Sequence, residues 1–221
     1  GGITEHDYYR TNREIATIHL PRLSIERDEF QETRLLEQAR EWLESEDKKR
    51  IEGIHVSDLL DPRLSYYQSL YPIPTPERTI WFFLVGKILH HFVLEVTQPG
   101  RAPTASDSGT RNQLDILYSP DDFEKSGYPI ELKTSRSLVE PHPDRFQDEQ
   151  SHYFEQLCTY MVLENVLQGY LWIFYINLKD KTGKTYPTPR CYKVTLTEEQ
   201  FYALEHEILQ TRDRLIEAKE T

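Results

Sequence analysis

Glu131 and Lys133 stand two residues apart in Ile130-Glu131-Leu132-Lys133. In a strand successive side chains alternate between faces, so this pair shares one face while Ile130 and Leu132 take the other. Asp115 lies between Leu114 and Ile116 on an earlier strand-like segment, so its carboxylate also points away from the apolar side. Pairing the two strands as a hairpin brings Asp115, Glu131 and Lys133 onto one surface with an aliphatic layer behind. Two carboxylates suit a hard divalent cation such as Mg²⁺ or Mn²⁺. A lysine beside them orients a water or neutralises a phosphate in its transition state. By itself Glu-x-Lys, a common tripeptide, reads as a solvated strand face; Asp115 raises the odds of a site without settling the matter.

Two helical pairs add to this set. In Gly86-Lys87-Ile88-Leu89-His90 a glycine and a histidine lie one turn apart on the same face. Glycine inside a helix costs roughly 1 kcal/mol against alanine, which suggests that another backbone comes close. A lone histidine on such a helix is more commonly a core or rim residue, and His91 beside it leaves the pair open to coincidence. Gln156 and Tyr160 are likewise four apart, nearly opposite the apolar stripe Phe154, Leu157, Cys158, Met161 and Val162. That placement means plain surface or presentation to a ligand, with surface slightly favoured.

The positioning elements follow from periodicity. Ser24–Arg50 has the three-four spacing of an amphipathic helix (Leu35, Leu36, Ala39, Trp42, Leu43), expected on the domain's flank. Asp61 is an N-cap candidate with Pro62 at the first helical position. Pro72, Pro74 and Pro76 form a non-helical connector before a helix over 77–96. Strands are expected at 113–118 and 128–134, with turn residues between them. A helix at 150–166 and a central strand at 170–178 come next, then a turn at Gly183 and a strand at 190–196. Thr197-Glu198-Glu199-Gln200 is a capping box for the last helix, whose Phe201, Leu204, Ile208 and Leu215 line one face. The order predicts an α/β fold with a small mixed β-sheet flanked by helices.

The 221 residues are 38% hydrophobic, enough for a core. A net charge of −11 argues against a polybasic nucleic-acid binder, though not against a local basic groove. Lys179–Lys193 is such a local excess, with Lys181, Lys184 and Arg190 as candidate phosphate contacts; turn solvation accounts for it equally well. Ser135 and Arg136, just past the Glu-x-Lys strand, are balanced between phosphate contact and solvated loop. Tyr66, Tyr67 and Tyr71 could stack on bases, but core packing is the favoured fate. Cys158 and Cys191 are the only cysteines, which suits a reducing, intracellular (cytoplasmic) setting. The first twenty residues are too polar for a signal peptide, and Lys87, His90 and His91 interrupt the most apolar run, so no membrane span is expected.

Gly86-x-x-x-His90, Asp115, Glu131-x-Lys133 and Gln156-x-x-x-Tyr160 occur in the order typical of RecB-type nucleases of the PD-(D/E)XK superfamily. The chain resembles that family over Val56–Leu196, and most of all its CRISPR-associated RecB-like exonucleases. There a Cys-Pro-Arg segment followed by tyrosines precedes the Gly/His helix; here the place holds Asp61-Pro62-Arg63, then Tyr66-Tyr67. The family's iron–sulfur cluster needs a cysteine at Asp61 and three later ones, so none is expected. The resemblance implies a restriction-endonuclease-like core over 56–221 and a helical extension over 1–55. It implies a Mg²⁺- or Mn²⁺-dependent DNA nuclease leaving 5′-phosphates, acting on single strands or strand ends. His90, Asp115, Glu131 and the Leu132 carbonyl would bind metal, Lys133 would position the water, and Gln156 and Tyr160 would orient the strand or buttress the lysine. The alternative is a catalytically silent module that binds nucleic acid, or a protein partner through its N-terminal helix.

Overall fold

The structure is a computed structural model and describes residues 27–47, 52–71, 76–97, 110–142 and 145–220. The expected connector prolines Pro72 and Pro74 and the ends of the Ser24–Arg50 helix lie outside these residues. The chain divides into two compact units between Gln38 and Ala39. Helix α1 (Glu29–Asp47) starts where Asp28 accepts a hydrogen bond from the Gln31 amide at 3.0 Å. Along it Phe30, Leu35 and Trp42 are exposed while Ala39 is buried.

The second unit is built around two sheets. In the smaller, β1 (Ile54–His55) runs parallel to β3 (Ile116–Tyr118), which pairs antiparallel with β2 (Arg111–Gln113). The larger has the order β4-β5-β6-β7: β4 (Asp122–Phe123), β5 (Pro129–Ser135), β6 (Gln168–Lys179) and β7 (Thr185–Thr195). Its pairings are antiparallel, parallel and antiparallel, so the sheet is mixed, and β5 and β6 are its central strands. Pro187 and Pro189 fall on β7 at the sheet edge, where a missing N–H costs no ladder bond.

Short helices α2 (Val56–Leu60) and α3 (Pro62–Leu70) follow β1, and α3 is capped as expected by Asp61, whose carboxylate accepts from the Leu64 amide at 2.9 Å. Helix α4 (Glu77–Thr97) packs against β5. After α5 (Phe146–Glu149) comes α6 (Ser151–Leu163), and α7 (Glu198–Glu220) closes the chain. The capping box of α7 is reciprocal: the Thr197 amide donates to Gln200 Oε1 at 2.9 Å, and the Gln200 amide to Thr197 Oγ1 at 3.2 Å. Phe201, Ile208 and Leu215 are buried along α7.

Helix α6 lies between two apolar clusters. Leu157 and Met161 pack on Leu171, Ile173 and Tyr175 of β6. Tyr160, Val162 and Leu163 pack with Val56, Ile116, Tyr118, Phe201 and Ile208. A helix buried on two sides has no solvent face opposite its stripe, so the surface reading of Tyr160 is corrected: it belongs to the second cluster. The glycine expectation is also refined. A Cβ at Gly86 would meet Thr134 Oγ1 at 3.6 Å, an ordinary contact with a β5 side chain rather than a backbone clash.

Candidate active site

Strand β5 carries Glu131 and Lys133 on the face that α6 covers. Glu131 pairs with Leu171 and Lys133 with Ile173, and these two β6 residues contact α6. The pair is therefore not a solvated strand face: Glu131 is only 2% exposed. Lys133 Nζ forms an ion pair with Glu131 Oε1 and donates to Gln156 Oε1 at 2.8 Å. Gln156 Nε2 in turn donates to Tyr160 Oη at 2.8 Å, which fixes the orientation of the amide. The four residues thus form one continuous polar chain from β5 into α6.

The second acid beside this chain is Asp121, not Asp115. Segment 113–118 is no single strand: β2 and β3 are joined by a two-residue turn at Leu114-Asp115, both with positive φ (56° and 58°), the signature of a tight hairpin turn of primed type. Asp115 is exposed at that tip, and the neighbouring Leu114 carbonyl accepts from Arg212 Nη1 of α7 at 2.6 Å. The partner of β5 is β4, whose pairing starts at Asp122 opposite Ile130. Before it stands Pro120, which has no N–H to continue a ladder. The Leu132 amide is instead taken by the Asp121 carboxylate, Oδ2 accepting at 2.7 Å. Asp121 Oδ1 lies 3.4 Å from His90 Nδ1, so α4 reaches the same group of residues. Pro120-Asp121 lies in the segment expected only as the turn before the Glu131-x-Lys133 strand.

The electrostatics follow from this geometry. Burial, then the negative charge of Asp121, pushes the Glu131 carboxyl well above its ordinary range, against the pull of Lys133. Burial works against the Lys133 charge as well, but Glu131, then Asp121 and Tyr153, outweigh it and hold the ammonium above its usual value. Two carboxylates around one ammonium leave a surplus negative charge, which a proton or a cation neutralises. The Tyr160 phenol is raised well above its usual value, chiefly by burial and next by Glu131, so it stays protonated.

His90, Asp121 and Glu131 supply nitrogen and carboxylate donors suited to a hard cation. Glu131 is turned to Lys133, however, and among the described residues no three His, Cys, Asp or Glu side chains converge as a preformed metal cage. The outlying candidates have local duties. Ser135 Oγ accepts from the Ser137 amide at 3.2 Å. The Arg136 guanidinium stacks 3.5 Å from the Phe82 ring centroid. Arg190 is engaged through Nε with Glu140 at 2.8 Å, in a half-exposed ion pair. Lys181 and Lys184 are exposed in the β6–β7 turn, where Asp180 binds the Thr182 and Lys184 amides.

No family model matches the chain, and no curated protein matches it. Among solved structures it is similar to SSO0001: 20% identity, a TM-score of 0.50, and coverage of 81% of this chain and 85% of that one. An alkaline exonuclease from Laribacter hongkongensis (LHK-Exo) matches at 14% identity and a TM-score of 0.44, over 76% of this chain and 90% of that one. A phage related exonuclease from Haemophilus somnus 129PT matches at 11% and 0.41, over 80% and 100%. Of the three, only SSO0001 is similar enough to speak for a shared fold. With Glu131 and Lys133 on a central strand, Asp121 at its edge and α4 and α6 against it, the chain has an α/β core, a small mixed sheet flanked by helices.

Proposed function

We propose that this chain is a divalent-cation-dependent nuclease that hydrolyses phosphodiester bonds in DNA and leaves 5′-phosphates. The observation that carries this reading is the buried Glu131–Lys133 pair, tied on one side to Asp121 and His90 and on the other to Gln156 and Tyr160. A structural ion pair has no need of a second carboxylate that pushes its Glu131 partner toward neutrality; a cation site does.

In this reading Asp121, Glu131, the Leu132 carbonyl and His90 would hold Mg²⁺ or Mn²⁺, which when bound supplies Lewis-acid stabilisation of the phosphate's developing charge. Asp121 is held for that task by the Leu132 amide, which leaves Oδ1 facing His90. Glu131 would turn from Lys133 to the cation, and Lys133 would orient the attacking water while Gln156 keeps the ammonium in place. Tyr160 stays neutral and anchors Gln156 from within the core. An iron–sulfur cluster needs four ligands of cysteine type, and the sequence has two cysteines, Cys158 in α6 and Cys191 on β7, so this reading includes no cluster. Single-stranded DNA and strand ends are the proposed substrates.

The test incubates the protein with end-labelled single- and double-stranded DNA, blocked at either end, in Mg²⁺, Mn²⁺ or EDTA. Cleavage with either cation, lost in EDTA and in a Lys133→Ala protein whose circular dichroism is native, supports the reading. Binding of DNA without cleavage under every condition identifies the silent module instead.

A further inference from the structure

Helix α6 carries a third side chain toward Lys133. Tyr153 precedes Gln156 by three residues and Tyr160 by seven, so one helical stripe holds all three. Its ring centroid lies 5.7 Å from Lys133 Nζ, within the roughly 6 Å over which an aromatic face attracts an ammonium. The ring's origin is fixed by the backbone: the Tyr153 amide donates to the Gln150 carbonyl at 2.9 Å, anchoring the first turn of α6. The side chain is half-buried and rests against the cluster of Leu157, Met161 and Leu171.

The geometry has a chemical consequence. An ammonium has three N–H donors. On Lys133 one faces Glu131 and a second goes to Gln156 Oε1. A third polar acceptor on the remaining side would consume the last donor. An aromatic face attracts the charge through its quadrupole and leaves that donor available. We propose that Tyr153 is a positioning residue: its ring holds the Lys133 ammonium in place while leaving one N–H for the attacking water or the phosphate. This inference rests on the nuclease reading above.

Two variants and one resonance test it. Tyr153→Phe keeps the ring and removes the hydroxyl; Tyr153→Leu removes the ring. On single-stranded DNA with Mn²⁺, Tyr153→Leu is expected to lower kcat roughly tenfold with KM within about twofold, and Tyr153→Phe to stay near wild type. Without DNA or metal, the Lys133 ε-methylene protons are expected to resonate upfield in wild type and Tyr153→Phe through the ring current, and to lose that shift in Tyr153→Leu. An unshifted Lys133 in wild type overturns the contact whether or not the variants fold. Full kcat in Tyr153→Leu, an equal loss in both variants, or a loss confined to KM each overturns the positioning role while wild-type cleavage leaves the nuclease reading standing. Failure of wild type itself to cleave under any cation overturns the nuclease reading, and this role with it.

Discussion

Two hairpins follow one another in the chain, and each carries an aspartate beside a strand. In β2–β3 the aspartate is Asp115, exposed at a two-residue tip with φ of 58°. In β4–β5 it is Asp121, at the start of the hairpin, with one oxygen on the Leu132 amide and the other facing His90. The first hairpin does structural work: Ile116 and Tyr118 enter the cluster beneath α7. The second builds the site. What separates them is where the ladder runs out. At Leu114-Asp115 the strands reverse, and the carboxylate is left at the bend. At Pro120-Asp121 the ladder ends against an N–H that still needs a partner, and the carboxylate supplies it beside Glu131.

The largest effects that can break this contrast are catalytic. Asp121→Asn and Glu131→Gln are each expected to lower Mn²⁺-dependent cleavage by a factor on the order of 10²–10⁴, measured as kcat on labelled DNA, because each removes a carboxylate that would hold the cation at the reacting phosphate. Next come the packing effects that hold α6 over β5. Leu171→Ala empties a fully buried position under Leu157 and Met161, and should cost about 2–5 kcal/mol by urea unfolding.

A smaller, pH-dependent effect separates the buried side of α6 from the open hairpin tip. Burial pushes the Cys158 thiol from its ordinary value near 9 up to about 11. With the folded value raised, the unfolded chain loses its proton first, so the stability this group contributes is complete below about pH 9 and is lost as pH rises through about 11. Urea midpoints at pH 8 and pH 10.5 should show that fall, and Cys158→Ala should lessen it. The smallest effect has the most telling sign. Asp115→Gly relieves a positive φ at the second position of the turn, where glycine is preferred, and should stabilise the protein by up to about 1 kcal/mol with cleavage unchanged.

Most of the framework was legible in the sequence because it rests on short-range rules. The Asp61 cap, the Thr197–Gln200 box and the alternation of Glu131 and Lys133 depend on neighbours within a turn or a strand, and each is where the spacing put it. Two things were not legible. Leucine is a poor turn residue, so Leu114-Asp115 gave no turn signal and the segment read as one strand, which handed the acidic role to Asp115. The burial of Tyr160 depends on a second layer, β3 and α7, brought over α6 from distant parts of the chain. Helical periodicity sees the first partner of a helix and not the second.

The central claim is that Asp121, and not Asp115, completes the site with Glu131 and Lys133. The most direct measurement compares Mn²⁺-dependent cleavage of end-labelled single-stranded DNA by Asp121→Asn and Asp115→Asn, each checked for native circular dichroism. The account predicts cleavage lowered on the order of 10²–10⁴-fold in the first and within about twofold of wild type in the second. The reverse pattern, with Asp115→Asn inactive and Asp121→Asn active, would contradict it.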